Sequence, residues 1–339
     1  MDTLELATRK LKHLDVCLNY PVNYQTRTTG FEFYDLPYQA LPETDLAKLD
    51  SRCTFLSKPL SAPILIGAMT GGAEKAKLIN KNLALAAEQL GLGLMLGSQR
   101  VMLEHPEASE SFAVRAYAPS CLLIGNLGVA QLNRGYGSRE IIRAIETIGA
   151  DALALHTNPL QEALQEAGDE DFSGLLAKLE TIIKEVPYPL LLKEVGQGLS
   201  KEVVNQVKDF GFAALDIAGA GGTSWARVEE FVRYGEIRHA ELTDWGIPTA
   251  KALVDAKQVT PAHTLIASGG IRTGLDIAKA LALGADVVAI ARPLLAPALD
   301  SAEAVIEKLQ DLIDELKIAM HCTGAKDIAA LKTLELSKR

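Results

Sequence analysis

A chain of 339 residues with 48% hydrophobic and 23% charged residues buries a sizeable core and is not disordered. Its net charge of −9 excludes an extended nucleic-acid footprint, which needs clustered Lys and Arg, but leaves room for a local basic pocket around a small anion. The four cysteines, Cys17, Cys53, Cys121 and Cys322, show no CxxC pair and no metal-cage spacing, and read as reduced thiols.

The first residues, MDTLELATRKLKHLD, carry charge throughout and hold no apolar run of signal-peptide length. No later run reaches membrane-spanning length, so the expected address is cytoplasmic. Residues 1–60 fit no repeating unit and read as an N-terminal extension that contributes to a substrate site, as a lid or binding loop. From there to residue 293, short apolar runs alternate with amphipathic ones. The short runs are PILIGAM from Pro63, GLGLMLG from Gly91, CLLIGNLG from Cys121, ALALHT from Ala152, PLLLKEV from Pro189, ALDIAG from Ala214, TLIASGG from Thr264 and VVAIARP from Val287. Each is continuously apolar and closed by Gly or a polar residue, as expected of a strand covered on both faces.

Between them, KLINKNLALAAEQL, SREIIRAIETIG, SGLLAKLETIIKEV, SKEVVNQVKDFG and GLDIAKALALG carry helical periodicity, several starting at a Ser cap and stopping at Gly. Eight strands alternating with helices predict an α/β fold, a TIM (β/α)8 barrel in one domain spanning 1–339; a doubly wound sheet with one or two strands misread is the competing arrangement. An insertion between strands 6 and 7, roughly Thr223 to Ala250, is a second lid or loop.

Polar residues gather just after the apolar runs, in MTGG, GSQR, NLG, HTNPLQE, KEVGQG, AGAGGTSW, SGGIR and ARP. A barrel brings all of these ends to one face, where barrel enzymes place their sites. The Gly269–Gly270 turn after strand 7 and the loop after strand 8 fit a phosphate pocket, with Arg292 placed to add a charge-assisted contact. Small residues in AMTGG and GNLG leave space for a flat ring system. Lys193 ends so apolar a strand that it needs an anionic partner, either a bound ligand or Glu194 or Glu162. Arg9, Lys10 and Arg100 are further anion ligands, and Trp225 covers a pocket or packs. HTNPLQE sets His156, Asn158, Gln161 and Glu162 around one strand end; a single carboxylate with amide neighbours suits Mg2+ rather than zinc. No GxSxG or Cys/His nucleophile arrangement is present.

With these residues assembled, the chain closely resembles the type 2, FMN-dependent isopentenyl diphosphate isomerases over nearly its whole length. RKLKH, PILIGAMTGG, GSQR, NLG, HTNPLQE, KEVG, GGTSW, WGIPT and SGGIRTGLDIAKALALGA carry the resemblance in this order. It implies a TIM barrel using reduced FMN and Mg2+ to interconvert isopentenyl and dimethylallyl diphosphate, with NADPH reducing the flavin and no net redox change. By position it assigns Ala68, Met69, Thr70, Ser98, Asn126, Lys193 and Thr223 to FMN, and Gly269, Gly270, Ile271, Arg272, Ala291 and Arg292 to the FMN phosphate. Arg9, Lys10, Ser98, Gln99, Arg100 and Gln161 fall to the substrate, with His156, Asn158 and Gln161 as catalytic residues around the diphosphate and alkene and Glu162 as the Mg2+ ligand. Neither nucleic acid nor membrane is an expected partner, and homo-oligomeric assembly is.

Two departures from the family pattern stand out. Glu166, Ala167, Gly168 and Asp169 replace the usual Pro-Glu-Gly-Asp, and Arg292 stands where the family usually has Gly. The rival readings are an FMN-dependent 2-hydroxy acid dehydrogenase, which needs a His base after strand 6 where this chain has DIAGAGGTSW, and a non-enzymatic flavin- or phosphate-binding barrel.

Overall fold

The computed structural model describes residues 3–72 and 74–339, with side chains from Arg9 onward. Eight parallel strands close into a barrel: β1 Ile64–Ile66, β2 Gly93–Met95, β3 Leu122–Gly128, β4 Ala152–His156, β5 Leu190–Lys193, β6 Ala214–Asp216, β7 Leu265–Ser268 and β8 Val287–Ile290. Each lies within one of the eight apolar runs, and β8 pairs with β1 through Val288 to Ile64, which removes any free edge. The doubly wound alternative is thereby excluded.

Two separate hydrophobic clusters follow from the two-residue period of the strands. Ile64, Ile66, Leu94, Leu123, Leu153, Leu155, Leu192 and Leu215 point outward into the layer between sheet and helices. Leu65, Met95, Leu122, Ile124, Ala152, Ala154, Leu191, Ala214, Ile266, Val287 and Ala289 fill the barrel interior. The helices expected between strands form at Glu74–Leu90, Ser138–Ile148, Leu175–Glu185, Lys201–Val207 and Gly274–Ala282. Ser200 caps its helix by accepting from the Val203 amide, but Gly137 and Gly174 precede two of the others. At Gly137 the Glu140 carboxylate folds back onto the exposed amide, which a Ser cap would otherwise not reach.

The N-terminal extension divides. The helix Thr3–Asn19 lies over the C-terminal face of the barrel and packs on the insertion helix Trp225–Tyr234. The hairpin Cys53–Phe55 with Lys58–Leu60 instead sends Phe55 and Leu60 into the interior cluster. It plugs the opposite end, so the residues of the 1–60 extension that line the cavity come from Arg9 to Asn23 and not from this hairpin. The physical reason is that an open barrel bottom would expose Leu65, Leu122 and Val287 to water.

Candidate active site

Continuing the inward row of each strand by one step defines the floor of the site. Ile124 is followed by Asn126, Ala154 by His156, Leu191 by Lys193, Ala214 by Asp216 and Ile266 by Ser268, so the top interior layer is polar while those below are apolar. Strand register places His156 beside Lys193 and Lys193 beside Asp216. These side chains floor a cavity of about 690 Å³, within the range of small-molecule sites.

Lys193 donates to the carbonyl of Glu194 at 2.5 Å and lies 4.0 Å from Oδ2 of Asp216. Its anionic partner is therefore Asp216, which the sequence reading missed, rather than Glu194 or Glu162. Glu194 turns away, and its carboxylate accepts from the amides of Val195, Gly196, Gln197 and Gly198. Asp216 is 1% exposed and accepts from Ser268 Oγ at 2.6 Å and the Ala218 amide at 3.2 Å through Oδ1, while Oδ2 is buried with no hydrogen-bond partner. Burial pushes its carboxyl above the usual range. The period that finds Asn126 and His156 from Ile124 and Ala154 would also have found Asp216 and Ser268.

His156 Nδ1 sits 2.7 Å from Asn126 Oδ1. Burial, reinforced by the Lys193 charge, lowers its pKa to about 3, so the ring is neutral at physiological pH. With Oδ1 as acceptor the proton resides on Nδ1.

Pro159 opens the helix Pro159–Leu164, whose first turn carries Gln161 and Glu162. Asn158 Nδ2 donates to Gln161 Oε1 at 3.0 Å and to Glu162 Oε1 at 2.9 Å. Glu162 Oε2 accepts from the Asp169 amide at 2.7 Å and from Gln165 Nε2 at 3.1 Å, and burial raises its pKa. The Glu166–Asp169 departure is thus pinned. Ala167 takes φ +53°, and a Cβ on Gly168 would fall 2.0 Å from the Glu162 carbonyl, so the loop closes directly over the Glu162 backbone. Asp169 in turn accepts from Gln131, Arg134 and Arg100.

The insertion helix supplies the second residue the sequence reading missed. Glu229, 1% exposed, accepts from Gln161 Nε2 at 2.7 Å, and its carboxylate lies 3.1 Å from His13 Nε2. His13 stands edge-on to the Trp225 ring at 5.6 Å, and both line the cavity. No local motif marks Glu229, because its partners are 68 and 216 residues away.

At the N-terminal helix, Arg9 and Lys10 enter the same cavity. Arg9 Nη1 is buried without a hydrogen-bond partner among the described residues. Lys10 Nζ donates to the Ser98 carbonyl at 3.2 Å and lies 5.5 Å from the centre of the Phe112 ring. Burial, with Arg9 and Arg100 beside it, lowers its pKa to about 7. Two cations held so unfavourably are suited chemically to a multiply charged anion. Arg100 lines the cavity but is already paired with Glu104 at 2.8 Å and Asp169 at 2.5 Å. Gln99 does not line it: the side chain is fully buried behind β3, where it binds the Ala144 carbonyl at 2.7 Å and the Asn126 amide at 2.9 Å. Its expected substrate contact is corrected to a scaffold role, because the strand has ended at Met95 and Gln99 is the residue that caps the helix Arg100–Glu104, tied to β3 by its backbone amide on the Asn126 carbonyl. Ser98, Ala68, Met69, Thr70 and Thr223 all line the cavity.

Gly269, Gly270, Ile271, Arg272, Ala291 and Arg292 form one wall. Gly269 and Gly270 have φ +99° and +75°, and a Cβ on Gly269 would lie 2.0 Å from the Gly219 carbonyl, so only glycine permits this turn. The helix that follows is already capped by Thr273 and Asp276, which leaves the turn and the two guanidinium groups to receive an anion. Arg292, on this wall, is also held within the chain. Its Nε donates to the Cys17 carbonyl at 2.9 Å and its Nη1 to Asn23 Oδ1 at 2.7 Å.

A parallel barrel with a glycine turn and two arginines on one wall of its cavity and a polar floor fits the class of flavin-dependent barrels. The family model of FMN-dependent dehydrogenases matches residues 149–338, and a mandelate oxidase, 18% identical, shares the fold with TM-score 0.68 over 99% of this chain and 98% of its own. At full length the kinship is narrower: the chain belongs to the isopentenyl-diphosphate delta-isomerase family. It is 55% identical to the enzyme of that name from Mycolicibacterium gilvum, over 96% of this chain and 95% of the relative, and 53% identical to that from Deinococcus radiodurans, over 96% and 97%.

Proposed function

We propose that this protein interconverts isopentenyl diphosphate and dimethylallyl diphosphate in isoprenoid biosynthesis, using reduced FMN, with Mg2+ on the diphosphate and NADPH as the source of the flavin's electrons. The observation that carries the reading is the junction, in one cavity, of an unneutralised Arg9–Lys10 pair with the Asn158–Gln161–Glu229–His13 chain.

FMN fits the residues present. The Gly269–Gly270 turn with Arg272 suits its phosphate, and the unsatisfied Oδ2 of Asp216 on the floor asks for a donor from a bound ring. Ala68, Met69 and Thr70 would flank that ring, with Ser98, Asn126, Lys193 and Thr223. Mg2+ fits Glu162: one buried carboxylate oriented by Asn158 and Gln165 leaves the remaining coordination to water and diphosphate, the habit of this ion. Bound reduced FMN supplies an electron-rich ring face that stabilises positive charge developing on an alkene and exchanges its proton.

The chain's own residues do the rest. Arg9 and Lys10 bind the diphosphate, whose remote binding energy fixes the short hydrocarbon tail above the floor. Gln161, locked between Asn158 and Glu229, presents its amide to the reacting carbons. His156, neutral, acts as a hydrogen-bonding group and not as the acid. Leu14, Leu18 and Trp225 in the wall exclude water, which would otherwise quench a cationic centre.

The dehydrogenase reading finds no base: the loop from Ile217 to Trp225 contains no His. Among the described residues no helix is long and apolar enough to cross a membrane. Cytoplasmic placement and a single domain complete the proposal. So does homo-oligomeric assembly, supported by the exposed apolar side chains Tyr38, Leu41 and Trp245. The test is to incubate purified protein with isopentenyl diphosphate, FMN, NADPH and Mg2+, and to omit each in turn. Dimethylallyl diphosphate is expected only in the complete mixture; its absence there, or turnover of a 2-hydroxy acid, overturns the reading.

A further inference from the structure

The side-chain oxygen Oδ1 of Asn23 receives two guanidinium groups from different loops, Arg292 Nη1 at 2.7 Å and Arg272 Nη2 at 3.3 Å. Neither arginine has a carboxylate partner among the described residues, and both line the proposed phosphate wall. Arg292 also holds, through Nε, the carbonyl of Cys17. That carbonyl is in the last turn of the helix Thr3–Asn19, where backbone acceptors lack intrahelical donors and the helix end is negative. The same helix carries His13 about one turn earlier and Lys10 and Arg9 about two turns earlier.

We propose that Arg292 is a positioning residue that links filling of the phosphate cradle to the seating of the N-terminal helix, and hence to assembly of the diphosphate clamp. Two like charges sharing one neutral acceptor repel each other and draw on its lone pairs together. A phosphate dianion in the cradle neutralises them, and Arg292 then stays on Cys17 and Asn23 without that repulsion. The inference rests on the reading of this wall as the FMN phosphate site.

The segment just after the helix has its own anchors, Tyr24 N to the Gly222 carbonyl at 3.0 Å and Ser224 N to the Val22 carbonyl at 2.8 Å. Removing Arg292 therefore loosens the helix and spares residues 22–24, which gives an internal control. Hydrogen–deuterium exchange of the full chain, with and without FMN, reads both. In the wild type FMN is expected to slow exchange across residues 3–19 at least tenfold. In Arg292→Gln, FMN still quenches its fluorescence on binding, the slowing falls to less than twofold, and exchange at 22–24 is unchanged. KM for isopentenyl diphosphate is expected to rise about tenfold with kcat altered less than threefold, and Arg292→Lys, which reaches only one acceptor, falls between. Asn23→Ala, which removes the shared acceptor, is expected to reproduce the effect should Arg292→Gln fold poorly. Equal FMN-dependent slowing in wild type and both variants overturns the coupling. No FMN binding by the wild type overturns instead the cradle reading on which it rests.

Discussion

The side-chain amide of Gln161, on the helix after β4, donates at 2.7 Å to the carboxylate of Glu229, on the insertion helix after β6. Glu229 also meets His13 at 3.1 Å, so three separate stretches of chain converge on one buried carboxylate. A hydrogen bond to a buried ion fixes the amide more strongly than one between neutral groups. Glu229→Gln keeps the shape but removes the charge and admits a flipped Gln161. The expected outcome is a fall in kcat of about a hundredfold, worth ~2.7 kcal/mol of barrier, with FMN affinity within twofold of wild type. Steady-state product formation and flavin titration check the two halves.

Glu162 is seated by the Asp169 amide and by Asn158 and Gln165. Glu162→Gln retains volume and most partners but loses the charge a hard cation requires. The Mg2+ concentration giving half-maximal activity is expected to rise tenfold or more while FMN still binds. Loss of flavin binding in a Mg2+ titration with parallel absorbance spectra would show that the residue serves the cofactor instead.

Burial and the neighbouring charges of Arg9 and Arg100 disfavour the ammonium form of Lys10 and lower its pKa to about 7; among the described residues its favourable partners are the Ser98 carbonyl and the Phe112 ring. A diphosphate binds the protonated form, so kcat/KM is expected to fall as pH rises through about 7. Binding takes up a proton, which titration calorimetry in buffers of different ionisation enthalpy will detect. Lys10→Ala is expected to lower kcat/KM and flatten that limb.

His156 has its folded-state pKa lowered to about 3, against an ordinary value near 6.5. Between these values the unfolded chain binds the extra proton, so the stability that His156 contributes is present above pH 6.5 and is lost as pH falls towards 3. Nitrogen-15 spectra of labelled imidazole are expected to show one neutral ring unchanged from pH 8 to 5. Acid unfolding of His156→Asn is expected to be shallower over that window. A ring that titrates near 6 would overturn the neutral role.

The barrel was legible because a parallel strand covered on both faces must be apolar along its length, and eight such runs separated by periodic helices leave few arrangements. His156, Asn158 and Glu162 were legible because their short spacing follows one strand end into one helical turn. The floor was half legible: the two-residue period that exposes Asn126 and His156 also leads to Asp216 and Ser268, but the polar endings were read as separate motifs.

What the chain alone determined was the alternation of apolar and polar residues, since burial and backbone hydrogen bonding act on every segment locally. What only the tertiary structure decided was which charges meet. Glu229 reaches Gln161 and His13 because the insertion helix packs on the N-terminal one, and Gln99 turns away because it caps the helix Arg100–Glu104 and is held by Ala144 and Asn126 behind β3. Arg292, read from its motif as a phosphate ligand, is also tied to Cys17 and Asn23 because a helix end with unpaired carbonyls lands beside it. Electrostatic partners are chosen by distance in space, and no pattern along the chain encodes contacts between residues 45 to 275 positions apart.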